Sequence, residues 1–280
     1  MVLKKDFLDE KYGHYHDWNF KRILEDRANG LLKFIGIPYR MHTRILSEYT
    51  NIDPGISRID FAGEAEKDGE MICLILECQS KLPNDDDISR FFQYVASLRI
   101  FKNMNVELFI LCTQKAPYNK KEFVLNDDCT YTMHVISLKN HNAEEIFKKI
   151  EDKLENNEEI NDEDIASLQV IVYTDYDESE VDVLIKARIL IERIAERLEM
   201  DINEKNAIVE LLDILSVNMM NAEGINKYEE ETYMLLNPTD RFLLKKGKLE
   251  MARKLIDDGH PIDYVVELSG LSEKEILNAK

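Results

Sequence analysis

The sequence is short of positive charge. Its 280 residues hold 36 Lys and Arg against 55 Asp and Glu, a formal net charge of -19. Coating nucleic acid takes many cations to neutralise phosphate, so this balance counts against a general nucleic-acid binder and leaves room only for a local basic groove. Much of the acid falls in 151–164 and 175–182. Long apolar runs are missing too. No run approaches the roughly 20 residues that span a bilayer. Met1, Val2, Leu3, Lys4, Lys5 and Asp6 turn charged at once, with no apolar signal core. The expectation is a cytoplasmic protein with no membrane contact. The four cysteines, Cys73, Cys78, Cys112 and Cys129, form no C-x-x-C pair. They read as free buried thiols rather than as zinc ligands or disulfides. P-loop, G-x-S-x-G and dinucleotide-binding patterns are absent.

Apolar residues make up 44% of the chain, enough for a packed core. Phe20, Ile23, Leu24, Ala28, Leu31 and Leu32 recur at helical spacing, which predicts a helix over 17–35 closed by Gly36 and Pro38. Strand-like runs follow at 42–49, 56–61 and 71–79. A helix over 87–98 comes next, with acid at its start, and then strands at 106–112 and 131–138. This order predicts one mixed α/β sheet covered by helices. After about residue 140 the pattern becomes helical: an amphipathic helix over 143–154, an acidic linker or helix start over 156–164, and stripes through Leu184–Leu198 and Ile208–Leu215. The expected division is 1–140 for the α/β core and 141–280 for an all-helical C-terminal region. The two halves can still pack as one body.

The most informative segment is a hairpin. Met71–Leu76 is continuously apolar, as in a strand buried on both faces, and it ends in Glu77-Cys78-Gln79. A carboxylate at the end of such a strand loses hydration unless a cation or a donor compensates it. Asp68-Gly69 is a strong two-residue hairpin turn. With that turn, antiparallel register sets Asp60 opposite Glu77 and Arg58 opposite Gln79, provided no bulge forms near Ala62-Gly63. Opposed Cβ atoms lie roughly 4.5–5.5 Å apart, so both carboxylates reach one cation. Two close carboxylates suit a hard divalent ion, Mg2+ or Mn2+, that keeps several waters. Gln79 shares the face of Glu77 and would orient water or a phosphate oxygen. An ordinary hairpin whose acids pair with Arg58, Arg90 or Lys81 has the same spacing, and both readings stay open at this point.

Arg58-Ile59-Asp60-Phe61, Asp68-Gly69, Leu76-Glu77-Cys78-Gln79-Ser80 and Arg90-Phe91-Phe92-Gln93-Tyr94 together resemble the PD-(D/E)XK nuclease family transposases, relatives of the recombination-promoting nucleases. The likeness runs through about 55–115. It resumes in the tail, where Gly247, Ala252 to Gly259 and Ile262 to Ile276 resemble the family's closing helices. The resemblance implies a restriction-endonuclease-like core and metal-dependent cleavage of DNA phosphodiesters. It implies metal held at Asp60, Glu77 and Cys78, with Gln79 in the place of the usual catalytic Lys. The alternative is a catalytically weak DNA- or protein-binding module that retains the fold.

Other residues are weighed beside these. Arg90 and Tyr94 share one helix face and would sit over the site, unless Arg90 bonds the acids and Tyr94 packs. Lys21 on the first helix is a solvated lysine, the simpler reading, or would reach the scissile phosphate. Glu25 is a further ligand or a surface acid, the latter being the simpler reading. His14 and His16 lack a third partner at metal spacing, and His134 reads as a core or edge histidine. The tail over 261–279 resembles half a helix-turn-helix, but its last helix is too acidic for a major groove. It reads as a packing or oligomerisation element, so a homo-oligomer is allowed.

Overall fold

The computed structural model describes residues 15–45, 59–117, 119–126, 129–235 and 238–278. Helix α1 (Tyr15–Phe34) turns Phe20, Ile23, Leu24, Leu31 and Leu32 into the core. It leaves helical geometry once, at Arg27 (φ -142°, ψ 40°). Gly36, at φ 77°, lets the chain reverse while Ile37 N–H donates to Leu32 O at 2.8 Å, so the last turn is closed.

Three antiparallel strands follow: β1 (Arg40–Ile45), β2 (Phe61–Lys67) and β3 (Glu70–Gln79). Helix α2 (Asp85–Lys102) then crosses to β4 (Val106–Cys112), which is parallel to β3. Asn84 and Asp87 cap α2 reciprocally, and Asp85, Asp86 and Asp87 put negative charge against its N-terminus. The hairpin of β5 (Lys120–Asn126) and β6 (Cys129–Ser137) completes the sheet, with β6 parallel to β4. The order across the sheet is β1-β2-β3-β4-β6-β5.

Two strand expectations need correction. The strand placed at 56–61 begins at Phe61 and runs on to Lys67; residues 56–58 and 46–49 lie outside the described residues. Ala62-Gly63-Glu64-Ala65-Glu66 has poor intrinsic strand preference. The turn at Asp68 (φ 53°) and Gly69 (φ 84°) makes it pair with β3 regardless. Gly63 is required there, because a Cβ would lie 2.8 Å from the Thr43 carbonyl oxygen of β1. Strand β5 was not expected at all. Lys120, Lys121 and Glu122 hide its pattern, as charge on an edge strand commonly does.

The sheet separates two cores. Ile72, Leu74 and Leu76 face the larger one, with α1 and the helices that follow the sheet. Those helices are α3 (Ala143–Glu155), α4 (Asp162–Gln169), α5 (Glu180–Arg197), α6 (Ile202–Met219) and α7 (Ala222–Tyr233). The larger core runs without a break from Phe20 to Tyr228, so residues on both sides of 140 share it. Gly30 permits the closest approach: a Cβ there would stand 2.4 Å from the Asp162 carbonyl oxygen at the start of α4. Cys73 and Ile75 face the smaller core, with Phe91, Tyr94 and Leu98 of α2 and Met133 and Val135 of β6.

The tail is built separately. Helices α8 (Pro238–Asp257), α9 (Ile262–Ser269) and α10 (Glu273–Asn278) close around Ala252, Val265, Leu271 and Ile276, with Leu249 and Leu255 packed against them. Among the described residues no helix is long and apolar enough to cross a membrane. The chain is thus an α/β protein with a six-stranded mixed sheet flanked by helices and a helical C-terminal part.

Candidate active site

The hairpin register is unbroken from Lys67↔Glu70 to Phe61↔Leu76, which continues to Asp60 facing Glu77. The irregularity lies on the other side of β2, where β1 slips between Met41 and Thr43. Asp60 precedes the first residue of β2, so the main-chain ladder has ended there, and side chains continue it. Asp60 N–H donates to Glu77 Oε1 at 2.9 Å, and Cys78 N–H donates to Asp60 Oδ2 at 2.9 Å. Each acid is therefore anchored on the other's strand, and one carboxylate oxygen of each is fixed by an amide.

Glu77 is only 2% exposed. Burial, and then the charge of Asp60, push its carboxyl well above the ordinary range; the Asp60 amide, Arg90 and Lys21 act in the opposite direction. Burying a carboxylate without a cation beside it costs on the order of several kcal/mol. A divalent ion between the two acids would remove both unfavourable contributions. The donor set is two hard oxygen ligands, which fits an ion that retains several waters. Among the described residues no group of three His, Cys, Asp or Glu side chains stands at metal-binding spacing.

Lys21 reaches the pair from α1, with Nζ 3.4 Å from Asp60 Oδ1 and the side chain one-third exposed. Gln79 lies on the Glu77 face by strand alternation, at the mouth of the parallel strands. There Gln79, Cys112 and Ser137 end β3, β4 and β6 at one level. Ligands of open α/β sheets bind at such carboxyl ends. Cys78 serves the site through its main chain. Its side chain projects from the opposite face and packs against the larger core. Arg90 bonds Asp87 at 3.0 Å rather than Asp60 or Glu77, and lies over the Phe91 ring, while its Nε is buried without a hydrogen-bond partner. The Tyr94 ring packs in the smaller core beside Phe91, with centroids 6.3 Å apart. Glu25 pairs with Arg44 at 2.7 Å and is a surface acid. The half-buried His134 stacks on Phe109 with ring centroids 4.9 Å apart. His14, and the pairing of Arg58 with Gln79, lie outside the described residues.

Tyr131 went unnoticed in the sequence. It is buried in the smaller core, its hydroxyl has no hydrogen-bond partner, and its acidity is lowered by burial and by the charge of Glu77. Only the alternation Tyr131, Met133, Val135 hinted at its side of the sheet. No family model, curated protein or solved structure matches the chain.

Proposed function

We propose that the protein is a metal-dependent DNA endonuclease with a restriction-endonuclease-like core. The observation that carries this reading is the buried Glu77, locked to Asp60 by reciprocal hydrogen bonds where the parallel strands end, with Lys21 at 3.4 Å. Asp60 and Glu77 would hold Mg2+ or Mn2+. When bound, such an ion lowers the pKa of a coordinated water and stabilises negative charge on a phosphoryl group. The remaining work belongs to side chains of this chain. Lys21 is a half-buried cation that can exchange part of its contact with Asp60 for a phosphate oxygen of the substrate. Gln79 can orient the attacking water but adds no charge to the transition state. The amides of Asp60 and Cys78 keep the carboxylates in place, so little reorganisation is needed at the moment of reaction.

Plasmid nicking with magnesium, manganese or chelator, on wild type and Glu77→Ala, tests the reading. Cleavage that needs the ion and is lost in the variant supports it. Absence of cleavage with either metal, together with equal calorimetric metal binding by both proteins, removes it. A second reading has its own support. Arg90 is engaged by Asp87, and Gln79 stands where a lysine would supply charge. A binding module that keeps the nuclease fold would show this arrangement, and it would bind DNA or a protein partner without cutting.

A further inference from the structure

The parallel strands β3, β4 and β6 end together, and each is soon followed by a lysine: Lys81 after Gln79, Lys115 after Cys112 and Lys139 after Ser137. In a chain of net charge -19, cations gathered at one end of a sheet stand apart from the rest of the sequence. Lys139 is committed elsewhere, donating to Thr174 O at 2.6 Å and lying over the Tyr176 ring. Lys81 and Lys115 are exposed, and neither has an ion-pair partner among the described residues. Their main chains are braced. Thr113 N–H donates to Gln79 O at 3.1 Å, the Cys112 thiol approaches Lys81 O at 4.0 Å, and Ser137 Oγ donates to Gln114 O at 2.7 Å. The segments that follow β3 and β4 are thereby tied to each other and to β6.

Lys81 lies two residues beyond Gln79, and two residues of extended chain span roughly 7 Å. That matches the axial rise of about two nucleotides along one DNA strand. Cys112 is level with Gln79 on the neighbouring strand, so Lys115 rises from the same end of the sheet, one strand over. The acids that open α2 set a boundary. Asp87 is matched by Arg90 at 3.0 Å, but Asp85 and Asp86 are exposed and repel phosphate. A nucleic-acid backbone approaching this end of the sheet is drawn to Lys81 and Lys115 and kept off the start of α2. An ammonium on a flexible stem suits this task, because it follows a phosphate without demanding one geometry. Such contacts fix the position of the backbone and carry no base preference.

We propose that Lys81 and Lys115 hold DNA backbone phosphates adjacent to the one presented to Asp60 and Glu77. The choice of DNA rests on the nuclease reading; the two lysines bind the substrate and take no part in bond breaking. Fluorescence anisotropy of a labelled 20-base-pair DNA duplex with the full chain tests this. Calcium replaces magnesium, and a gel confirms that the duplex stays whole. Lys81→Gln and Lys115→Gln should each weaken binding by roughly fivefold or more at low salt. Each should also lower the slope of log affinity against log salt by about 0.9, and the double variant by about twice that. Lys246→Gln removes the same charge from an exposed lysine of α8 and should change neither quantity. In magnesium nicking, the same two variants should raise KM and leave kcat within about twofold. The proposal is overturned by slopes unchanged in both variants, by an equal loss in Lys246→Gln, or by a wild type that does not bind the duplex at low salt. Weaker binding in the variants of a protein that never cuts would leave this surface standing and remove the nuclease reading. Intact cleavage with binding unchanged in both variants would do the reverse.

Discussion

The two faces of the sheet are covered very differently. One carries α1 and five later helices over a core that runs from Phe20 to Tyr228, while the other is covered chiefly by α2. Strand β3 supplies both, with Leu74 and Leu76 on the thick side and Cys73 and Ile75 on the thin one. The thick face is a store of stability. Glu77 follows Cys73 and Ile75 onto the thin face by strand alternation, at the strand ends. Glu77 and the bulk of the core thus lie on opposite sides of one strand, while Lys21 reaches Asp60 from α1.

The largest effect should come from the thin face. Asp60→Ala or Glu77→Ala is expected to lower metal-dependent nicking by about a thousandfold, roughly 4 kcal/mol, because the ion loses one of two protein ligands. Residual nicking within tenfold of wild type would separate the acids from catalysis. On the thick face, Phe147→Ala should cost about 3–5 kcal/mol in denaturant unfolding and leave metal affinity of the folded protein unchanged. If it altered metal binding, the two faces would not be independent.

Glu77→Gln sharpens the contrast, since it should abolish activity while stabilising the metal-free fold by about 1–3 kcal/mol at neutral pH. The sign follows from the raised carboxyl. The folded protein holds the proton more tightly than the unfolded chain, whose carboxyl titrates near about 4.3. The stability that Glu77 contributes is therefore complete below that pH and is lost as pH rises through the higher folded value. The melting gap between variant and wild type should widen over that window and narrow when magnesium is added. A gap independent of pH would remove the burial argument. Gln79 should matter less: Gln79→Ala is expected to keep metal affinity and lose about tenfold in rate, and Gln79→Lys to retain or raise it. The smallest effect is expected from deleting 243–280. That segment carries most of the core that α8, α9 and α10 share, so the melting of the remainder should move by less than about 1 kcal/mol. A larger loss would show the tail bracing the body.

Much of this was legible beforehand, for identifiable reasons. Asp68-Gly69 and the apolar run of β3 fix the hairpin register, and register alone brings Asp60 to Glu77. The helices over Ala143–Glu155 and Glu180–Arg197 declare themselves by apolar stripes. What stayed hidden depends on contacts between distant segments. The edge strand β5 needs no apolar face. Tyr131 meets the field of Glu77 only after β6 has inserted beside β4, and Arg27 finds Asp162 and Glu204 across 135 and 177 residues of chain. The tail showed its helices in sequence, but not that they would pack chiefly on one another.

The side-chain continuation of the hairpin has a kinetic corollary. The amide of Cys78 is held by a carboxylate rather than by a strand carbonyl, so its exchange with solvent deuterium is governed by whatever disturbs Asp60. A cation that draws Asp60 Oδ2 away would speed exchange at Cys78. One that engages the other oxygen and stiffens the pair would slow it. Leu74, deep in the same strand, should respond to neither. One amide thus reports occupancy of the carboxylate pair, on a clock that runs without substrate and without turnover.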